Sequence, residues 1–288
     1  MASGGWLVSL RRAVKLAGVV LVLPALVGAT YQGVANALER RAFPRPGRMV
    51  DAGGHQLHIA CSGRGGPTVL LEAPAGAGSA AWGAVQPRFA TAVRTCSYDR
   101  SGLGWSESGD RRFDPARVPG ELHALLTGAQ EPGPYVVVGA GLGASFARMF
   151  AAAYPAETRA LVLLDDPAAT GHRPSGGERR FAAAAPWLAR VGILRAQHAL
   201  AGRRQNPDGP AATVRAFLNR PDHLTRSGLE LARWDDAVAL SAEVPAGVPV
   251  VHLPGGDADA TGLLLTAPAQ AEPVLAAVAG FARRGRQP

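Results

Sequence analysis

The chain has little of what metal, redox and nucleotide chemistry requires. Its 288 residues include two cysteines and seven histidines, and Lys15 is the single lysine among 30 cationic residues. No H-E-x-x-H spacing occurs, and Gly139-x-Gly141-x-Gly143 lacks the G-x-G-x-x-G spacing of a dinucleotide site. The sequence therefore predicts a protein with no metal and no cofactor.

The net charge of +8 is unevenly distributed. Residues 1–48 carry seven cations and one anion, a net +6, which leaves +2 for the remaining 240 residues. That larger part has no basic stripe and no nucleic-acid motif, so we expect no nucleic-acid partner. The excess charge flanks an N-terminal apolar run, where arginine and lysine suit anionic lipid headgroups.

The apolar run covers Leu16 to Thr30, and weakly polar residues extend it to Ala37. A membrane helix needs about 20 residues, so 13–37 suffices, and Pro24 is tolerated in such a helix. We expect a single-pass helix that binds the lipid bilayer and places the protein in the cell membrane. The alternative is a secreted protein, because Ala35-Asn-Ala37 fits the A-x-A pattern of a cleaved signal peptide. Cations at both ends leave the orientation open.

Short apolar strands and helices alternate after residue 48, which predicts a mostly parallel sheet flanked by helices. Residues 171–244 break this rhythm with helical stretches at 181–199 and 211–219, and we interpret them as a cap inserted over the sheet. On strand 55–61, His55 and His58 are expected on the solvent side. The predicted organisation is a tail at 1–12, a membrane helix at 13–37, a Pro/Arg spacer at 38–48, a core at 49–170 and 245–288, and the cap at 171–244.

Three motifs follow one another in the order found in a known family. They are Pro67–Glu72 followed by Ala-Pro-Ala-Gly, the run Arg94–Ser106 with Asp-Arg and two turn glycines, and Pro134–Phe150 with Tyr154-Pro155. Together they resemble the α/β-hydrolase fold superfamily, and the anchor and spacer resemble its membrane-anchored actinobacterial members. The resemblance implies an α/β-hydrolase fold with a helical cap and an ester-hydrolase ancestry.

The family's strand order implies that Cys61 and Cys96 lie on neighbouring strands. We therefore predict that they are close enough to form a disulfide, which an extracytoplasmic location would permit. The alternative is a pair of buried cysteines that act as small hydrophobic residues.

The chain departs from the family where the chemistry occurs. Acyl transfer needs a serine nucleophile, a histidine base and an acid that orients the base. In the G-x-S-x-G frame of the nucleophile elbow, the central position is Gly141, which has no side chain. The family's histidine precedes the last helix, but the nearest match here is Thr261-Gly-Leu-Leu264, and His252 is the last histidine in the chain.

The remaining site positions are only partly occupied. The acid could be Asp165 or Asp166 after one strand, or Asp257 after the next, and the sequence does not choose among them. The backbone N–H groups of Ala75 and Leu142 match the oxyanion donors.

We therefore expect a catalytically degenerate protein that binds a small apolar or acyl ligand or serves a structural role. The alternative is an active serine-type hydrolase that uses non-standard residues.

Overall fold

A computed structural model describes residues 3–110, 112–201, 209–241, 243–255 and 263–284. Seven strands and eleven α-helices are found in these ranges. The strands are β1 Arg48–Asp51, β2 Gln56–Ser62, β3 Thr68–Glu72, β4 Thr95–Tyr98, β5 Tyr135–Ala140, β6 Thr158–Leu164 and β7 Val250–Leu253. The helices are α1 Ser3–Ala42, α2 Gln86–Ala90, α3 Val118–Gly128, α4 Leu142–Ala153, α5 Pro167–Thr170, α6 Gly176–Arg190, α7 Ile193–Ala201, α8 Gly209–Phe217, α9 Pro221–Ala232, α10 Trp234–Leu240 and α11 Pro268–Arg284.

The strands form one sheet in the order β1-β2-β4-β3-β5-β6-β7. The pairings β1·β2 and β2·β4 are antiparallel, and the other four are parallel. The mostly parallel sheet expected from the alternation of strands and helices is confirmed. In such a sheet the carboxyl ends of neighbouring parallel strands meet at one edge, where ligands and substrates bind.

Alternate side chains of the central strands enter two separate cores. On one face Val136 and Val138 of β5 pack with residues of α11 and with Trp82. On the other face Val137 packs with leucines of α3 and with Phe150 of α4. Each fully buried valine contributes about 1.5–3 kcal/mol by leaving water, so the two faces together fix β5 at the centre of the fold.

Strand β2 corrects one prediction from the sequence. His55 and His58 were expected on the solvent side, but both are buried. The N-terminal segment that leads into β1 and the loop after β4 cover this strand, since the His58 ring contacts the Pro46 carbonyl and the Trp105 ring. Both faces of β2 are therefore buried along part of its length, which an alternating pattern does not reveal.

The segment between β6 and β7 is helical, as the sequence predicts, and we call α5 to α10 the β6–β7 insertion. The helix expected over 181–199 is divided into α6 and α7, which meet at Val191 and Gly192. Helices α6 and α9 pack against each other along their lengths, and α10 packs on α4 at the carboxyl end of the sheet.

Helix α1 is longer than the expected membrane segment and runs through Ala42, so the first five residues of the expected spacer are helical. Among the described residues, one helix is long and apolar enough to cross a bilayer, the part of α1 from Gly18 to Ala42 with mean hydropathy 1.6.

The second half of α1 is attached to the β6–β7 insertion. Arg195 of α7 donates hydrogen bonds to Gln32 at 2.9 Å, to Asn36 at 2.8 Å and to Glu39 at 2.8 Å. Gln32 also donates to the Asn219 carbonyl at 2.6 Å. These contacts hold α1 against the globular part of the protein.

The predicted disulfide between Cys61 and Cys96 is confirmed. The two residues are direct cross-strand partners on β2 and β4, with Cα atoms 4.0 Å apart. The bond links the antiparallel edge of the sheet to its parallel centre.

Replacing both cysteines by serine should lower the free energy of unfolding by about 2–4 kcal/mol, because the cross-link restricts the unfolded chain. Guanidinium unfolding under non-oxidising conditions measures the loss. Ser62→Ala, one position along β2, keeps the bond and should stay within about 0.5 kcal/mol of wild type. Equal stability of the double variant and the wild type would show that the bond is absent in solution.

Candidate active site

The turn between β5 and α4 lies at the carboxyl edge of the sheet. Gly141 occupies it with φ 52° and ψ −125°, a conformation that residues with a Cβ rarely adopt. Its N–H donates to the Leu164 carbonyl of β6 at 2.9 Å, and its carbonyl accepts from the Ala144 N–H. The turn therefore raises position 141 above the sheet and directs the chain at once into a helix.

The glycines two positions before and after this turn allow α4 to lie close to the sheet. A Cβ on Gly139 would lie 2.6 Å from the Gly143 carbonyl oxygen. A Cβ on Gly143 would lie 2.5 Å from the carbonyl oxygens of Glu72 and Ala73 on the β3 side. Backbone contacts of this kind cannot relax, so both positions require glycine.

A buried arginine stands beside this turn and joins three parts of the chain. Arg100, in the loop after β4, donates to Glu72 of β3 at 2.5 Å and to Glu230 of α9 at 2.8 and 2.9 Å. The same guanidinium donates to the carbonyls of Ala73 at 2.8 Å and Pro74 at 2.9 Å. We call Arg100, Glu72 and Glu230 the ionic cluster.

Burial and charge act together on the ionic cluster. Burial raises the pKa of Glu72, and the Arg100 charge and a hydrogen bond from the Tyr98 hydroxyl only partly oppose this. Burial opposes the charge of Arg100, yet the carboxylates of Glu230 and Glu72 raise its pKa. Arg100 is therefore permanently charged, and its two partners are required to compensate for its burial.

Helix α9 brings polar residues to the site in addition to Leu229 and Leu231, which pack against the cluster of Leu142 and Phe146. The polar residues occur on one side of the helix and its N-cap, and we call them the α9 polar face: Arg220, His223, Arg226, Ser227 and Glu230. Arg220 donates to the Gly104 carbonyl at 2.9 Å, and Arg226 donates to the Asp110 carbonyl at 3.0 Å. Glu230 accepts from the Gly76 N–H at 2.7 Å. The α9 polar face thus connects the insertion to the loops after β3 and β4.

Both ring nitrogens of His223 form hydrogen bonds with the backbone of these loops. Its Nδ1 accepts from the Gly104 N–H at 3.0 Å, and its Nε2 donates to the Gly76 carbonyl at 2.9 Å. Burial, together with the charge of Arg220, lowers the pKa of His223 to about 4. The imidazole is neutral at pH 7 and serves as a cross-link between two loops and the insertion.

Comparison with solved structures supports a specific architecture. An esterase from Thermogutta terrifontis is 17% identical and superposes with a TM-score of 0.56, over 83% of this chain and 99% of that chain. The epoxide hydrolase CorEH gives 19% identity and a TM-score of 0.59, over 83% and 99% of the two chains. An enol-lactonase from Burkholderia xenovorans LB400 gives 16% identity and a TM-score of 0.55, over 81% and 99%. The chain has the α/β-hydrolase fold.

Comparison with known sequences is less informative about this protein than comparison with solved structures. No family model matches the chain. An uncharacterized protein from Schizosaccharomyces pombe is 31% identical over 113 residues, which are 38% of this chain and 21% of that protein. The matched part of the chain thus spans about a fifth of that relative's length.

The residues expected to donate to an oxyanion lie near the turn. Ala75 packs against the apolar cluster that contains Leu142, Phe146 and Trp234. Neither the Ala75 N–H nor the Leu142 N–H donates to a protein acceptor within the described ranges. Pro74 adjoins them, and a Cβ on Gly141 would lie 3.3 Å from the Pro74 Cβ.

The three acid candidates have different surroundings. Asp165 has φ 45°, and its Oδ2 accepts from the Gly255 N–H at 3.0 Å beyond β7. Asp166 is buried, accepts from Ala168 as the N-cap of α5, and pairs with Arg148 at 3.1 Å. Asp257 lies outside the described residues.

One histidine lies close to an acid candidate. His252 Nδ1 is 3.7 Å from an Asp166 carboxylate oxygen. His252 belongs to β7, two strands from β5, and is paired in register with Leu163, the partner of Gly139. Two strand spacings amount to roughly 10 Å between the backbones of β7 and β5, and the His252 ring lies beside Asp166.

A second cluster contains a hydroxyl, an imidazole and a carboxylate, and sequence reasoning missed it. His58 Nδ1 lies 2.9 Å from Asp99 and 3.4 Å from the Ser79 hydroxyl, while His58 Nε2 contacts the Pro46 carbonyl. A serine triad instead uses one imidazole nitrogen for the acid and the other for the serine.

The surroundings of His58 also oppose that use. Burial opposes a charge on the ring, but the hydrogen bond and charge of Asp99 raise the pKa of His58. Its two nitrogens face two acceptors, the Asp99 carboxylate and the Pro46 carbonyl, so neither is free to accept a proton from Ser79. All three residues are buried, and Asp99 also accepts from the N–H groups of Ser79 at 2.6 Å and Trp105 at 3.0 Å. This cluster therefore orders the loop after β4.

The described residues also offer a weak candidate for metal binding. Cys61, Cys96 and Glu131 bring one ligand atom each to within 4.8 Å of the others. The two sulfurs are bonded to each other, so neither is the thiolate that a metal requires. Glu131 pairs with Arg94 at 2.6 Å.

Acidification should weaken the attachment of the β6–β7 insertion through His223. The unfolded histidine binds a proton near pH 6.5 and the folded one only near pH 4, so protons favour unfolding across that window. The free energy of unfolding should fall by about 3 kcal/mol from pH 6.5 to pH 4 through this residue alone.

Urea unfolding across this pH range tests the role of His223. His223→Gln can keep a donor toward Gly76 and an acceptor toward Gly104 but does not titrate, so its stability should vary less with pH than that of wild type. Ser227→Ala, which removes a non-titrating contact of the same helix with Gly76, should retain the wild-type slope. Equal slopes for His223→Gln and wild type would contradict the assignment.

Proposed function

We propose that the protein is a membrane-anchored member of the α/β-hydrolase fold that has lost catalysis. The observation that carries this proposal is Gly141. It holds the strained turn between β5 and α4 with the glycines at 139 and 143 that the turn requires, yet it offers no hydroxyl. An enzyme of this fold that attacks an ester carries its nucleophile at such a turn.

The histidines support the same interpretation. His223 comes nearest to the loop after β3, but both of its nitrogens are occupied by the backbone. His58 has one ring nitrogen on Asp99 and the other on the Pro46 carbonyl, and His252 lies two strands away. No histidine follows His252 in the sequence. Loss of both nucleophile and base removes several orders of magnitude of rate, which leaves binding as the function of the site.

A small acyl compound is the ligand that best suits what remains. The N–H groups of Ala75 and Leu142 would donate to its carbonyl or carboxylate oxygen. The apolar cluster of Leu142, Phe146 and Trp234 would contact its hydrocarbon part. The ionic cluster and the α9 polar face limit such a ligand to a short chain.

A fluorophosphonate probe separates this proposal from an active hydrolase with non-standard residues. The purified full-length protein should not label stoichiometrically and should not turn over p-nitrophenyl esters of short acids. Gly141→Ser should also remain inactive, since His58 and His223 are bound through both ring nitrogens and His252 lies two strands away, and should be destabilised by about 1–3 kcal/mol because of its positive φ.

Gly141→Ala is the matched control for Gly141→Ser, because both add a Cβ at 3.3 Å from the Pro74 Cβ. The two variants should lose similar stability in thermal melts. Stoichiometric labelling with turnover in wild type, or large ester turnover in Gly141→Ser but not in Gly141→Ala, would refute the loss of catalysis.

Contacts of α1 support retention of the N-terminal helix over cleavage after Ala37. Cleavage there would remove Gln32 and Asn36 and leave buried Arg195 with Glu39 as its remaining partner on α1. Removing partners from a buried charge is strongly unfavourable. The disulfide supports placing the globular part on the oxidising side of the membrane.

Intact-mass measurement of the detergent-extracted protein should show residues before Leu38 still attached. Ala37→Arg, which disables an A-x-A site, should give the wild-type mass apart from the substitution. A mature protein that begins at Leu38 would instead establish secretion after signal cleavage.

A further inference from the structure

Helices α6 and α7 meet in an exposed corner formed by residues 187–193. Its projecting side chains are Trp187, 70% exposed, Ile193, 43% exposed, and Arg190, whose guanidinium lies 4.8 Å from the centre of the Trp187 ring. A tryptophan this exposed in contact with an arginine is unusual on a surface that only water covers. The same combination is enriched at membrane–water interfaces, where the ring is partly apolar and the cation reaches headgroups.

This corner lies directly against the apolar helix. A Cβ added to Gly28 of α1 would lie 2.0 Å from the Val191 carbonyl oxygen and 2.9 Å from the Val191 carbonyl carbon, so the two backbones are in contact. Arg195, on the next turn of α7, is held by Gln32, Asn36 and Glu39, which lie further along α1. Relative to α1, the corner is thus nearer to the apolar run than these polar contacts are.

The position of the contact along α1 sets its depth. Gln32 is the first residue of α1 whose polar side chain is bound by the insertion, so we place the edge of the hydrocarbon near Tyr31. Gly28 lies four residues earlier, which is ~6 Å along the helix axis. Helices that lie in a membrane interface bury their apolar face about 5–10 Å into the headgroup and acyl boundary. The corner therefore reaches the depth that an interfacial helix occupies.

The charge of the surrounding segment points to anionic lipid. Between Glu178 and Asp208 the sequence contains six arginines and no acidic residue, of which Arg179 pairs with Asp235 and Arg195 is buried against Glu39. Arg180 and Arg190 are exposed on α6. Juxtamembrane cations of this kind are attracted to the negative surface of a bilayer that contains anionic lipids.

We propose that the α6–α7 corner inserts into the bilayer surface that α1 crosses, with Trp187 and Ile193 among the acyl chains and Arg190 at anionic headgroups. The inference rests on the proposed anchor, because α1 determines where the bilayer lies. It adds a second, peripheral membrane contact that belongs to the β6–β7 insertion rather than to the N-terminal helix.

Site-specific fluorescence on the full-length protein tests the contact. An environment-sensitive nitrobenzoxadiazole label is attached at Ile193→Cys, and in a second variant at Trp187→Cys, with the native cysteines left as their disulfide. The protein is reconstituted into vesicles of phosphatidylcholine and phosphatidylglycerol that contain a lipid with a nitroxide near the headgroup. Thermal melts confirm that each labelled variant is folded, and either position is sufficient.

The matched control is Leu240→Cys, an exposed aliphatic position of the insertion (52%) on α10, which packs on α4. Quenching by the nitroxide lipid should be at least about twofold stronger at position 193 than at 240, since an interfacial site lies within the headgroup region. Quenching should decrease when phosphatidylglycerol is replaced by phosphatidylcholine.

A label at Val22→Cys within α1 separates the two proposals. If Val22 is quenched by a nitroxide deep in the acyl chains and position 193 behaves like 240, the anchor stands and the corner contact is wrong. If Val22 is not quenched, the anchor itself is wrong. Protection of position 193 from aqueous iodide without quenching by lipid would show that a protein, such as a second copy of the chain, covers the corner, and would overturn the proposal.

Discussion

The guanidinium of Arg100 is the interaction on which the arrangement at the carboxyl edge depends. It bonds at once to the end of β3, to the carbonyls of the following loop and to Glu230 of α9. Removing one member of a buried ion pair costs about 3–5 kcal/mol because the other charge is left without compensation. A crevice that must admit and release a substrate has to open, and here opening α9 would break this ionic cluster. The geometry therefore favours a closed resting form.

The turn at Gly141 and the strands around it could be predicted from the sequence because their signals are local. Strand β5 is a continuous apolar run, and Gly139 and Gly143 are the residues that a close helix–sheet contact demands. Local signals do not predict the pairing of Cys61 with Cys96, since the strands that carry them are neighbours in the sheet but not in the chain. Only the order of strands implied by the resemblance brought those two cysteines together.

Other features could not be predicted, for physical reasons that differ from one to the next. Charged residues along one side of a helix normally face water. In α9 they face inward, because Arg220, His223 and Glu230 find partners on loops that are distant in sequence. His58 was misplaced for a similar reason: its burial depends on a ring contact with Trp105 and an ion pair with Asp99, and an alternating strand pattern contains neither. Position in the sequence also could not predict which acid candidate is buried and paired, because the adjacent residues Asp165 and Asp166 have different surroundings.

Helix α1 continues without a break past the end of its apolar run to Ala42, and Arg195 forms hydrogen bonds with Gln32 and Glu39 of this helix. A disordered linker between a membrane helix and the globular part would allow the globular part to adopt any orientation relative to the bilayer. If α1 crosses the bilayer as proposed, a helix held along its flank from Gln32 to Glu39 allows the globular part few tilts. One side of the globular part would then face the bilayer, and the opposite side would face away from it. The protein would then meet another protein of the same membrane by lateral diffusion in the plane of the bilayer. Rotation about the membrane normal would be the main orientational freedom that remains.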